Sequence, residues 1–100
     1  MNDKLLSLLG IARRAGKLSL GFDAASDSMK SGKTKLLLLA ADLSERTIRS
    51  ISNTANQTAT KVINTNIPMQ QLGAAIGKTT GIISVNDQGF AEKMKTLYTE

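Results

Sequence analysis

Leu5, Leu8, Leu9 and Ala12 recur at the i, i+3, i+4, i+7 spacing of a single helical face. The spacing predicts a helix over residues 2–15, with Asn2 or Asp3 able to cap its start. Arg13 and Arg14 fall in its last turn, where positive charge suits the helix dipole, and Gly16 supplies a stop. Lys17–Leu20 reads as a short strand and Gly21 as a turn. A second helix is expected over 22–31, with Phe22, Ala25 and Met29 on its inner face and Gly32 at its end.

Leu36–Ala40 is apolar without alternation, the pattern of a central strand covered on both faces. Asp42 and Ser44 then offer caps for a third helix, Glu45–Asn56, whose inner face is Ile48, Ile51 and Ala55. A third strand is expected over Ala59–Thr65, around Val62 and Ile63. Asn66 and Pro68 open a fourth helix with Met69, Leu72 and Ile76 inside and Gly77 at its end. Ile82–Val85 reads as the fourth strand. Asn86 or Asp87 starts a last helix that buries Phe90, Met94 and Leu97.

Helix and strand therefore alternate from end to end. Such an order predicts an α/β fold, a three-layer α-β-α sandwich with about five helices on the two faces of a mostly parallel four-stranded sheet. The short first strand suits an antiparallel position at an edge. A chain of 100 residues, 41% of them hydrophobic, fits a single domain over residues 1–100.

Composition removes much chemistry. There is no Cys and no His, so thiol nucleophiles, disulfides, iron–sulfur clusters, Cys/His zinc sites and Ser-His-Asp triads are all excluded. No metal or other cofactor is expected, and no enzyme activity. The longest apolar run, Leu36–Ala41, is six residues, against the roughly 20 of a membrane helix. Asp3, Gly10 and the Arg13–Arg14 pair make the N-terminal leucines an amphipathic helix rather than an export signal. A cytoplasmic monomer without membrane contact is the resulting expectation.

Two Gly-Lys-Thr segments, at 32–34 and 77–79, look like phosphate loops. The wrapping glycine five positions earlier is Asp27 in one and Leu72 in the other, and both segments follow a helix instead of preceding one. Helix termination accounts for both. Asp23 and Asp27, one turn apart, read as dipole complements near a helix start.

The net charge is +5, from thirteen Lys and Arg against eight Asp and Glu. Arg13, Arg14 and Lys17 cluster at one helix end, and Lys30, Lys33 and Lys35 at another. Each cluster alone could complement a dipole; together they suggest a surface for phosphate backbones. Three aromatics, Phe22, Phe90 and Tyr98, are too few for a base-stacking platform.

Over nearly its whole length the chain resembles the kink-turn-binding ribosomal-protein superfamily, in its YlxQ-like bacterial branch. The resemblance is carried by Leu8–Leu18, Ser31–Leu36, Leu39–Asp42, Leu72–Lys78 and Asp87–Ala91, in that order and spacing. It implies an α-β-α sandwich with a mixed four-stranded sheet. It also implies a non-enzymatic, ribosomal-protein-like function, the recognition of structured RNA of the kink-turn kind.

The family's signature is a Gly-x-Asn-Glu turn that opens the second helix, with a Lys three residues after the Glu. Its Asn and Glu read sheared G·A pairs. Here the turn is Gly21-Phe22-Asp23-Ala24, with Asp27 in place of the Lys. The family's second contact is an apolar loop between the fourth helix and fourth strand, which cradles a flipped-out base. Here it is Lys78-Thr79-Thr80-Gly81. The resemblance thus implies an RNA surface at the ends of helices two, three and four: Gly21, Phe22, Asp23, Ala24, Asp42, Ile48, Lys78, Thr79 and Thr80, with Lys33, Lys35 and Lys78 meeting phosphates. RNA or the ribosome is the expected partner. The alternative is a protein-interaction module of the same fold that has lost specific kink-turn binding. Lysines converging on the Gly21 turn would favour RNA; Asp23 and Asp27 dominating that edge would favour the module.

Overall fold

The computed structural model describes residues 3–99. Its elements are α1 (Asp3–Arg14), β1 (Leu18–Leu20), α2 (Phe22–Lys30), β2 (Leu36–Leu39), α3 (Glu45–Gln57), β3 (Val62–Asn64), α4 (Met69–Ile76), β4 (Ile82–Val85) and α5 (Gln88–Thr99). The four strands form one sheet in the order β1-β4-β2-β3.

Only the β2–β3 pair is parallel. β4 inserts between β1 and β2 and runs antiparallel to both, so the sheet is mixed and not mostly parallel. The alternation of helix and strand does not by itself reveal this. α4 and residues 77–81 return the chain to the end of the sheet where β3 finished, so β4 runs opposite to β2 and β3. β1 is an antiparallel edge strand, as its length suggested.

Leu36–Leu39 is buried throughout because its side chains serve two cores. Leu36 and Leu38 join Leu5, Leu9, Leu72, Ile83 and Met94 under α1, α4 and α5. Leu37 and Leu39 join Ala25, Met29, Ile51 and Ala55 under α2 and α3. Successive strand residues face opposite ways, so an uninterrupted leucine run is what a sheet covered on both faces requires.

The third strand is shorter than its sequence pattern suggested. Ala59 adopts φ 55°, and Thr60 N–H donates to Ala55 O, so residues 58–60 close α3 instead of starting β3. Asn66, also left-handed at φ 61°, precedes α4 and leaves Pro68 as its cap residue. Asp87, not Asn86, caps α5 by accepting from Phe90 N–H at 2.9 Å.

Candidate nucleic-acid interface

The C-terminal ends of β1, β2 and β3 and the N-terminal end of β4 share one end of the sheet. Each of the first three strands is followed there by a helix start. Gly21 N–H donates to Ile82 O at 2.9 Å, which ties the turn before α2 to the start of β4. Ala40 N–H donates to Gly81 O at 2.9 Å, which ties the lead into α3 to the same place. The N-termini of α2, α3 and α4 and the 77–81 loop therefore meet at this end.

Gly21 has φ 94° and ψ 169°, a combination open essentially to glycine alone. The turn points the first-turn N–H groups of α2 outward, and no side chain caps them. The other two helix starts are occupied. Ser44 Oγ accepts from Thr47 N–H at 3.2 Å on α3, and Asp42 Oδ1 accepts from Met69 N–H at 2.9 Å on α4. A helix start carries partial positive charge and unsatisfied donors, so the α2 start is the one left open to an acceptor from outside.

Asp23 and Ala24 are exposed on the first turn of α2. Phe22 is half-buried against the Ala25–Met29 core, so its ring is largely committed to packing. Ile48 is half-buried on the first turn of α3. In the 77–81 loop Lys78 and Thr79 are exposed, while Thr80 is buried with its hydroxyl on Ile82 O at 3.3 Å. A Cβ on Gly81 would meet Leu43 Cδ2 at 2.6 Å and Met69 Cγ at 2.8 Å, so two half-buried apolar side chains flank this polar loop.

Lys33 and Lys35 are not part of this end. α2 carries the chain from the end of β1 back to the start of β2, and Lys35 N–H donates to Val85 O at the far end of β4. Three strand residues, about 10 Å, separate that point from Ile82. β1 and β2 run parallel on either side of β4, so the two ends of α2 lie at opposite ends of the sheet. What remains beside the Gly21 turn is electrically mixed, with Asp23, Asp42 and Glu45 facing Arg46, Arg49 and Lys78.

Sequence reasoning missed two features. Asp42 is a cap for α4, reached across 27 positions, and not for α3. Ser19, Ser28, Thr34, Ser84 and Asn86 form one polar cluster beneath α2. Asn86 Oδ1 accepts from Ser28 at 2.9 Å and from Ser84 at 2.6 Å, and Asn86 Nδ2 donates to Ser19 at 2.8 Å. Thr34 Oγ1 lies 2.7 Å from Ser84 Oγ and 2.9 Å from Ser28 Oγ. Its one visible trace in the sequence is Ser84, a hydroxyl inside the apolar run Ile82–Val85.

A four-stranded mixed sheet between helix layers, with three helix starts gathered at one end, defines a small α/β domain of ribosomal-protein type. The chain belongs to the ribosomal protein L7Ae/L30e/S12e/Gadd45 family, which it matches over residues 3–95. It is 35% identical over 92 residues, 90% of each chain, to the RNA-binding protein YlxQ of Bacillus subtilis (strain 168). It is 30% identical over 91 residues to the large ribosomal subunit protein eL30 of Candida glabrata, covering 89% of this chain and 87% of that one. Among solved structures it superposes on a protein with unknown function from Bacillus halodurans C. That match has a TM-score of 0.86 and 33% identity, over 97% of this chain and 98% of that one. The Giardia lamblia 15.5kD RNA binding protein shares the fold, with a TM-score of 0.75 at 18% identity.

Proposed function

We propose that this protein is a non-enzymatic RNA-binding protein whose single domain recognises structured, kink-turn-like RNA through the end of the sheet that carries Gly21. The observation that carries this reading is the open start of α2. Its N–H donors face outward uncapped while the neighbouring starts of α3 and α4 are capped from within. The names of its relatives YlxQ and eL30, an RNA-binding protein and a ribosomal protein, point the same way. In this reading the first turn of α2 receives the RNA, Asp23 accepts from a base edge, and Lys78 meets a phosphate. Leu43 and Met69 offer an unpaired base the apolar surface that the 78–81 loop lacks. The protein would act in the cytoplasm, with RNA or the ribosome as its partner.

One observation favours the protein-interaction module instead. Lys33 and Lys35 do not converge on the Gly21 turn, and the charges beside it balance. A titration with a kink-turn RNA, and with the same RNA lacking its sheared G·A pairs, at two salt concentrations, separates the readings. Binding that is lost with the G·A pairs is the expected result. Equal, weak and salt-sensitive binding to both RNAs overturns kink-turn recognition.

A further inference from the structure

The end of the sheet opposite the Gly21 turn gathers the basic side chains that the turn lacks. Lys17 leads into β1, Lys35 into β2 and Lys61 into β3. Backbone bonds tie all three to the sheet: Asn86 N–H to Lys17 O, Lys35 N–H to Val85 O and Leu37 N–H to Lys61 O, each 2.8 Å. Lys17 and Lys35 stand level with Asn86, and Lys61 stands one position further along, level with Leu36. In the strand order β1-β4-β2-β3 they span this end of the sheet, about 15 Å at the usual strand spacing, with Lys61 on the face opposite to Lys17 and Lys35. Arg13 and Arg14 end α1 just before Lys17. Lys30 ends α2, and Lys33 follows it with its N–H on Ser28 O. All seven side chains are exposed.

Against them this end holds two acids, Asp27 and Asp87, and Asp87 is already engaged as the cap of α5. The seven and the two account for the whole formal charge of +5; the other six basic and six acidic residues cancel. None of the seven is neutralised, since the one ion pair among the described residues is Lys95–Glu92. Dipole complementation accounts for Arg13, Arg14 and Lys30, which end helices. It does not account for Lys17, Lys35 and Lys61, which precede strands.

The mount is rigid. The Ser19–Ser28–Thr34–Ser84–Asn86 cluster joins β1, the C-terminal half of α2, the lead into β2 and the turn after β4. The patch also lacks aromatics. Phe22 and Phe90 pack against the cores, and Tyr98 donates to Thr65 O at the other end. A band of exposed cations without stacking rings suits the backbone of a duplex and does not suit single-stranded bases.

We propose that this end is a second RNA surface, which binds the phosphate backbone of a duplex segment and supplies the electrostatic part of RNA affinity from the side opposite the Gly21 turn. That RNA is the partner rests on the function proposed above; the location does not.

The test is a titration of a straight RNA duplex, without kink or bulge, over a range of salt. It compares the wild type, the triple variant Lys17→Gln, Lys35→Gln, Lys61→Gln, and the single variant Lys4→Gln in the first turn of α1, at the other end. Each phosphate contact adds roughly 0.7–0.9 to the slope of log K against log salt. The triple variant is expected to lose about two units of slope and at least about tenfold in affinity, while Lys4→Gln leaves the slope unchanged. With the kink-turn RNA, the triple variant keeps its discrimination for the G·A pairs, which also shows that it is folded. An unchanged slope in the triple variant overturns the proposal. So does an equal loss in Lys4→Gln, which would spread the contacts over the molecule. A wild type with no affinity for the duplex overturns it too, and leaves the patch to an acidic protein. Failure of kink-turn recognition would show separately, as wild-type binding indifferent to the G·A pairs.

Discussion

The Asp42 carboxylate accepts a hydrogen bond from the Met69 backbone N–H at 2.9 Å, across 27 positions of sequence. α4 begins at Pro68, which has no side chain able to cap the helix, so Asp42 takes that role from the neighbouring loop. The bond does two things at once. It satisfies a first-turn donor with a charged acceptor, and it fastens the lead into α3 to the start of α4. Two helix starts at the candidate interface thus hold a fixed spacing.

Replacement of Asp42 by Ala should cost about 1 kcal/mol, the usual loss of a cap. Asp42→Asn keeps an acceptor and should cost less. A domain of this size loses about 4–8 °C of Tm per kcal/mol, so thermal unfolding resolves the two variants. An unchanged melting temperature for Asp42→Ala would mean that the bond contributes nothing in solution.

Gly21→Ala should destabilise by about 1–3 kcal/mol through backbone strain alone, because φ 94° with ψ 169° suits glycine only. No steric clash adds to this, since a Cβ there meets nothing within 4 Å. If the chain relieves the strain by moving the turn, the open start of α2 moves with it. Affinity for kink-turn RNA should then fall by more than the loss of folded fraction explains. Denaturant unfolding and an RNA titration on the same variant separate the two effects.

Asn86→Ala removes the acceptor shared by Ser28 and Ser84 and the donor to Ser19. Ser84 is completely buried and would fall back on the hydroxyls of Thr34 at 2.7 Å and Ser28 at 3.4 Å. Three hydrogen bonds are lost without leaving Ser28 or Ser84 unpartnered, so the expected cost is about 1–2 kcal/mol. Ser84→Ala should cost less, because Asn86 Oδ1 keeps Ser28 and Thr34 keeps a hydroxyl partner. Equilibrium unfolding in urea gives the order of the two.

Ala59→Gly should stabilise the protein. Ala59 sits at φ 55° just past the end of α3, where an L side chain costs about 1 kcal/mol or more and glycine fits without strain. Glycine gives back part of that gain as unfolded-chain entropy, so a net increase of up to about 1 kcal/mol is expected. A lower melting temperature than the parent would contradict it.

The order of elements was legible from the sequence because its causes are local. The Leu5–Leu8–Leu9–Ala12 spacing, the Ser44 cap, Gly77 as a left-handed terminus and the unbroken Leu36–Leu39 run each act within a few residues. Ala59 escaped the same reading because a left-handed Ala carries no mark in the sequence. The Gly21–Ala24 turn was placed through a resemblance that other segments carry, and it lies where three helix starts meet.

What lay beyond the sequence depends on pairing across the chain. The insertion of β4 between β1 and β2, antiparallel to both, is decided by long-range strand contacts that no local period encodes. The same holds for Asp42, whose partner is 27 residues away. Charge is the clearest case. Residue order shows two basic clusters near helix ends and does not say which ends coincide in space. Only the folded sheet brings Lys17, Lys35 and Lys61 to one end, remote from Gly21, because the long-range pairing of the strands decides which of their ends coincide.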